Sequence, residues 1–380
     1  MKTVRDLSVE GRRVLVRADL NVPLDGDRIT DDTRIRASLP TIRYLREHGA
    51  EVIVCSHLGR PKGEPRPELS LRPVAERLSE LLGEPVAFDG EEGPVRLLEN
   101  LRFDPREEKN DPALAAELAS LADVFVSDAF GTVHRAHAST AGVAHLLPSA
   151  AGLLLAAELE AFDRILEKPE HPFVVVIGGA KVADKIGVID RFTGLADSVL
   201  VGGAMAFTFL AARGIAVGAS KHEDAEGQEV ARRAMADADA RGCELVLPSD
   251  VVIAERVEAD APTQVVAADA IPDGWMGLDI GPGTAAEFLD LIAEARTVFW
   301  NGPMGVFELA PFAAGTLAVA HAVAESDAVS VVGGGDSVAA VNQAGVADRI
   351  THVSTGGGAA LELVEGRTLP GVEALDGDAA

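Results

Sequence analysis

Short apolar runs recur along the chain, separated by longer stretches with helical spacing. In the first half the runs are Val14–Val16, Val52–Cys55 and Val124–Val126. In the second they are Phe173–Ile177, Val199–Val201, Leu245–Leu247, Val298–Trp300 and Val331–Val332. Continuous apolar runs predict strands buried on both faces, and such strands alternating with helices predict parallel α/β sheets. Residues 152–167 place apolar positions 155, 159, 162 and 166 on one stripe, which predicts a single helix. Pro169 and Pro172 stop it before the next strand, so it can serve as a connector between two α/β units.

Length agrees with two units: 380 residues is too long for one ordinary core. Apolar residues at 47% and charged residues at 25% exclude a disordered chain. The 38 glycines and 20 prolines follow no short period, which excludes collagen-like and solenoid folds. Two cysteines, Cys55 and Cys243, give no disulfide framework. No apolar stretch approaches 18 residues and no signal-peptide core opens the chain, so a cytoplasmic protein is expected.

The net charge of −26 argues against nucleic acid and anionic membranes as partners. The basic residues are unevenly spread. Residues 1–150 hold 20 Lys+Arg against 25 Asp+Glu, and residues 151–380 hold 14 against 35. An anion site is therefore expected in the first half.

Ligands of open α/β sheets bind beyond the carboxyl ends of the strands. In the first half those ends are polar and mostly basic: Arg17-Ala18-Asp19-Leu20-Asn21, Ser56-His57-Leu58-Gly59-Arg60, Glu99-Asn100-Leu101-Arg102, and the stretch Ser127–His137 that includes His134 and Arg135. One such arginine is ordinarily a surface ion pair. Repeated at every strand end, they predict a basic crevice for a small dianion, because the guanidinium fork suits carboxylate and phosphate. The histidines lack metal-ligand spacing.

In the second half the strand ends are glycine-rich: Gly178-Gly179-Ala180-Lys181, Gly202-Gly203, Asn301-Gly302-Pro303-Met304-Gly305, Gly333-Gly334-Gly335-Asp336-Ser337 and Ser354-Thr355-Gly356-Gly357-Gly358. Glycine permits close backbone approach, and helix-start N–H groups bind phosphate, so five such loops predict a nucleotide-sized site. Only seven of the 34 basic residues are lysines, yet Lys181 and Lys185 stand four apart here. On a helix they would share a face and suit a moving phosphoryl group.

Two motif matches fail on inspection. The first glycine loop is no Walker A motif, since Val175 stands six before Lys181 and Val182 follows it. Gly281-Pro282-Gly283-Thr284-Ala285-Ala286 fits a dinucleotide fingerprint but follows only a short Leu278–Ile280, and no ribose-binding acid stands at the next strand end.

Together, Arg17–Pro23, His57–Pro61, Leu98–Phe103, Gly178–Val182, Trp300–Gly305 and Ser354–Gly358 resemble the 3-phosphoglycerate kinase family, in order over nearly the whole chain. The resemblance implies two Rossmann-like three-layer domains with parallel sheets, joined by a connecting helix. It assigns residues 1–151 to the acid substrate, 152–168 to the connector and 169–362 to the nucleotide, with a tail at 363–380 returning to the first domain. It implies a glycolytic enzyme, a monomer, that passes a phosphoryl group between 1,3-bisphosphoglycerate and Mg-ADP, giving 3-phosphoglycerate and Mg-ATP after hinge closure. The acid would sit on Asp19, Leu20, Asn21, Arg34, His57, Leu58, Gly59, Arg60, Arg102 and Arg135. The nucleotide would contact Lys185, Gly277, Glu308, Gly334, Gly335, Asp336 and Ser337, with magnesium on Asp336. Arg34 and Lys181 would flank the transferring group. Gly283 departs from the pattern, since relatives often carry a larger polar residue there. A nicotinamide-dependent dehydrogenase and a catalytically dead sugar-phosphate sensor are the rival classes. Failure to bind NAD disposes of the first, and the presence of Lys181 argues against the second.

Overall fold

The computed structural model describes residues 1–376; the small acidic end of the tail, where fraying is expected, lies outside them. The described chain divides into two compact units, one formed by residues 1–160 and the segment from Arg367, the other by Ala161–Gly366.

In the first unit the strands are β1 (Arg13–Ala18), a small hairpin of β2 (Leu24–Asp25) and β3 (Arg28–Ile29), β4 (Glu51–Cys55), β5 (Ala87–Phe88), β6 (Val95–Leu97), β7 (Val124–Asp128) and β8 (Ser149–Ala151). Six of them form a parallel sheet in the order β5-β6-β4-β1-β7-β8. The continuous Val/Ile runs in β4 and β7 are buried, as strands covered on both faces require. Helices α1 (Thr33–Glu47), α2 (Arg72–Leu82) and α3 (Pro112–Ser120) supply the outer layers. β1 lies between strands reached in opposite directions, so the sheet's topological switch falls at its carboxyl end.

Helix α4 (Leu153–Leu166) crosses from one unit into the other. Its first N–H groups need acceptors. Leu153 donates to Thr41 Oγ1 at 2.9 Å, and Leu154 and Leu155 donate to Asp128 Oδ1 at 2.9 and 3.2 Å. Asp128 is fully buried, and burial pushes its carboxyl up to about 7.

In the second unit, β9 (Phe173–Ile177), β10 (Ser198–Val201), β11 (Glu244–Val246), β15 (Thr297–Asn301), β16 (Val329–Val332) and β17 (His352–Val353) form a parallel sheet in the order β11-β10-β9-β15-β16-β17. Its switch lies between β9 and β15. The helices are α5 (Ile186–Thr193), α6 (Gly203–Ala212), α7 (Ala225–Arg241), α8 (Pro282–Glu294), α9 (Ala314–Glu325), α10 (Gly335–Gln343) and α11 (Gly358–Val364). The last helix, α12 (Pro370–Asp376), belongs to the first unit, where Gly371 N–H donates to Val133 O at 2.8 Å.

The apolar-run reading located most of the parallel strands, with shifts of about a residue at β10 and β11, and missed the short β5, β8 and β17. It passed over a second, antiparallel sheet of β12 (Asp250–Ala254), β13 (Gln264–Ala267) and β14 (Met276–Ile280), paired in the order β13-β12-β14. β14 is broken by Gly277 and Asp279, and β13 is mostly exposed, unlike a strand covered on both faces; the apolar run Val251–Ala254 of β12 was legible and was passed over.

Candidate functional site

The carboxyl ends of the first unit's strands are tied to one another by side chains. Ser56 Oγ accepts the Leu20 N–H at 2.9 Å, and Asn21 Oδ1 accepts the Gly59 N–H at 2.9 Å. Asn100 is a buried clasp: its Oδ1 accepts from Leu58 and Arg102 N–H, and its Nδ2 donates to Leu58 and Leu69 carbonyls. Buried amides reach this state only when donor and acceptor ends are both satisfied.

On this frame stand the cations. Arg34, in the first turn of α1, donates from Nη1 to Asp19 Oδ2 at 2.5 Å. Arg102 is 6% exposed, donates to Gly59 O at 2.9 Å and pairs with Glu108 at 3.2 Å. Half-buried Arg135 donates from Nε to His134 Nε2 at 3.1 Å. Arg60 is exposed, and among the described residues it forms no ion pair. Leu20 and Leu58 are buried supports whose N–H groups are held by Ser56 and Asn100.

His57 and His137 contribute no charge. Burial, then the fields of Arg17, Arg102, Arg34 and His137, hold His57 well below the usual imidazole range. Burial, then the fields of Arg102, Arg17, Arg135 and His134, bring His137 down to about 4. Burial also lowers Arg102, against Glu108. The crevice is a set of guanidinium forks with neutral imidazoles between them, which suits a small molecule bearing both carboxylate and phosphate. Arg17, the arginine read at the first strand end but not among the residues the resemblance gives to the acid, is fully buried in β1, and Glu107, which the sequence did not single out, is also fully buried. Arg17 stands in a quoted motif, but inside a strand it reads as part of the scaffold.

The second unit carries a cavity of about 490 Å³ at the ends of β9 and β15, walled by Phe207, Met276, Leu278 and Val306, with the exposed carboxylates of Glu308 and Asp336 also bordering it. An apolar cleft with a few polar groups is the usual form of a small-molecule site. The glycine loops meet each other closely here. A Cβ on Gly178 would lie 1.9 Å from Pro303 O, and Gly203, at φ +66°, would bring one within 2.6 Å of Gly179 N. Packing of loop on loop accounts for part of the glycine content. Gly277 donates its N–H to Ser220 Oγ at 2.9 Å, while Gly334 and Gly335 open α10.

The two lysines differ. Residues 182–185 form a turn and α5 begins at Ile186, so Lys181 and Lys185 do not share a helix face. Lys185 Nζ donates to Gly178 O at 2.7 Å, Asn301 O at 3.0 Å and Asn301 Oδ1. Burial brings it down to about 8, with Asp336 opposing that shift. Asn301 also donates to Gly333 O, and Ser337 Oγ accepts the Gly302 N–H, so Lys185 and Ser337 join three loops at the switch point. Lys181 is exposed, and among the described residues its ammonium has no protein partner.

A further buried acid, Asp279, borders the cavity and escaped the sequence reading. It accepts from Gly315 and Ile280 N–H at 2.7 and 2.9 Å, and burial pushes it up to about 7. At the rejected fingerprint, Asp250 accepts the N–H groups of Gly283 and Thr284 at 3.0 and 2.7 Å. That helix start is filled by a side chain, leaving no room for a pyrophosphate, and Gly283 is turned to Asp250. Among the described residues no helix is long and apolar enough to cross a membrane.

A family model described as phosphoglycerate kinase matches residues 4–367. A phosphoglycerate kinase of Rubrobacter xylanophilus is 60% identical over 387 residues, covering 98% of both chains. One of Chloroflexus aggregans is 59% identical over 394 residues, again covering 98% of each. Among solved structures, phosphoglycerate kinase from Coxiella burnetii superposes with a TM-score of 0.93 at 43% identity, covering 100% of this chain and 99% of that one. The enzyme from Pyrococcus horikoshii gives 0.83 at 33% identity, covering 99% and 98%.

Proposed function

The chain belongs to the phosphoglycerate kinase family, a family of glycolytic phosphotransferases, and on that premise we propose how its own residues carry out the reaction. The acid, as 1,3-bisphosphoglycerate or 3-phosphoglycerate, binds the crevice of Asp19, Asn21, Arg34, His57, Arg60, Arg102 and Arg135. ADP or ATP binds the cavity bordered by Glu308 and Asp336. A β-phosphate oxygen of ADP attacks the acyl phosphorus, the bond from phosphorus to the carboxyl oxygen breaks, and 3-phosphoglycerate leaves as its carboxylate. Arg34 meets the charge returning to that carboxylate, and Lys181 meets the phosphoryl oxygens in flight. No protein nucleophile is required, because positioning and charge neutralisation carry phosphoryl transfer.

The observation that carries this reading is the pairing of an arginine crevice at one sheet's switch point with a nucleotide-sized cavity at the other's. The test is ATP formation from 1,3-bisphosphoglycerate and ADP, coupled to a spectrophotometric readout. An absence of ATP with intact, folded protein sinks the assignment.

Magnesium fits this site as a companion of the nucleotide. Among the described residues no three His, Cys, Asp or Glu side chains cluster to cage a metal. Asp336 offers one exposed hard ligand at the start of α10, the number magnesium uses when phosphates complete its shell. The ion supplies charge neutralisation to the phosphates. Asp336→Asn is expected to raise the magnesium needed for half-maximal activity while leaving 3-phosphoglycerate affinity unchanged. If Asp336 only stabilises the helix start, thermal stability falls and the magnesium titration does not move.

Acid and nucleotide residues belong to different units, while reacting atoms must come within about 3–3.5 Å. We propose that the units close about α4, completing the site and excluding water that would otherwise hydrolyse ATP. In solution scattering the radius of gyration is expected to fall most with both substrates bound and less with either alone. An active enzyme that shows no compaction in the ternary complex would refute closure.

A further inference from the structure

Resting on the assignment of the arginine crevice to the acid substrate, we propose that Glu107 and Ser139 are positioning residues that act through Arg17 to hold His57 as its Nε2–H tautomer. The direction of each hydrogen bond follows from what the groups can do. A guanidinium has five donors and no acceptor. Arg17 Nε lies 2.8 Å from Ser139 Oγ, so that oxygen accepts. The single proton of the Ser139 hydroxyl must then point elsewhere, and Glu107 Oε1 stands 2.5 Å away to receive it. The other carboxylate oxygen, Oε2, accepts the Ser139 N–H at 3.0 Å, which fixes the serine backbone against the same acid.

The far end of Arg17 is constrained in the same way. Nη1 donates to Ala18 O, and Nη2 lies 3.2 Å from His57 Nδ1. Arg17 cannot accept, so Nδ1 must carry the lone pair, and the ring proton sits on Nε2. Arg17 and Glu107 are fully buried and His57 is 4% exposed, so solvent does not compete for these bonds. Burial and the surrounding arginines keep the imidazole neutral. His137 Nδ1, at 3.8 Å from Glu107 Oε1, is too distant to take over the serine's contact. His57 thus keeps one N–H for an anionic oxygen. The opposite tautomer would set an Nδ1–H against the Arg17 N–H, donor against donor, and leave no donor on Nε2.

The relay is testable in the full-length protein without any ligand. Long-range proton–nitrogen NMR distinguishes the two neutral tautomers, and His57→Asn identifies the resonances of His57. The wild type is expected to show His57 as the Nε2–H form at neutral pH. Ser139→Ala removes one hydroxyl and should mix the tautomers. It should also raise the KM for 3-phosphoglycerate about 10-fold, the scale of one charge-assisted hydrogen bond, with the KM for ATP unchanged. Glu107→Gln should do the same, and Glu107→Asp should recover less than half of the loss because the shorter acid falls short of Ser139. If Glu107→Gln fails to fold, Ser139→Ala alone decides. A wild-type His57 in the Nδ1–H form overturns the relay, as does a Ser139→Ala protein with unchanged tautomer and unchanged KM. A chain with the expected tautomer that makes no ATP supports the relay and overturns the kinase assignment instead.

Discussion

Lys181→Ala is expected to lower turnover about 10²–10³-fold while changing the KM for ATP only slightly, the usual cost of removing a group aimed at charge that develops in transfer. The structure gives the expectation a geometric basis. The backbone around Lys181 is held on both sides: Gly179 O accepts the Met205 N–H at 2.9 Å, and Glu223 accepts the Val182 N–H at 2.6 Å. The side chain is exposed and without a protein partner among the described residues. An anchored stem with an uncommitted ammonium can meet a phosphoryl group without first breaking bonds. Lys185 is the contrast and the control. Its ammonium is bonded to Gly178 and Asn301, so Lys185→Ala should lower thermal stability as well as activity. Near-normal turnover in Lys181→Ala, measured at saturating substrates, removes this lysine from the mechanism.

Arg34→Ala should also lose turnover, by about 10²-fold, whereas Arg102→Ala and Arg135→Ala should chiefly raise the KM for 3-phosphoglycerate. Arg34 pairs with Asp19, which is itself 6% exposed and stands just past β1. Without the guanidinium, the site loses its charge beside the proposed leaving carboxylate, and Asp19 loses its partner. Arg34→Lys keeps the charge and loses the fork, so it should recover only part of the rate. Arg102 instead braces Gly59 O and faces Glu108, a geometry that serves binding more than bond breaking. Saturation kinetics on the three alanine variants decide the partition; equal losses of turnover in all three contradict it.

Much of this was legible in the sequence because parallel strands write themselves plainly. A strand buried on both faces must be apolar throughout, so the polar residues that follow it stand out as loop and ligand positions. Asp19, His57, Arg102 and Lys181 were found that way. What stayed hidden was hidden for stated reasons. β13 is mostly exposed, and β14 is broken by Gly277 and Asp279. Asp279 lies inside a short apolar segment and is recognisable only once Gly315 is brought to it. Ser139 and Glu107 are 32 residues apart, and nothing local marks them as partners. The turn before α5 reversed the expectation for the lysine pair, because Lys185 finds three oxygens supplied by Gly178, just past β9, and by Asn301 of β15 that spacing alone cannot show.

The first unit is closed by α12, which follows some 200 residues of the other unit in the chain. With Gly371, Ala374 and Leu375 buried, it packs against residues 138–142 and β8, in a unit that apart from the segment beginning at Arg367 lies wholly before residue 161. On a ribosome adding about 5–20 residues per second, that unit waits roughly 10–40 s for its last piece. The second unit is one uninterrupted segment and can be complete before α12 leaves the exit tunnel. The nascent chain therefore gains its two halves in the reverse of their order of appearance. The unit begun first is finished last, and no half-made polypeptide carries both units intact.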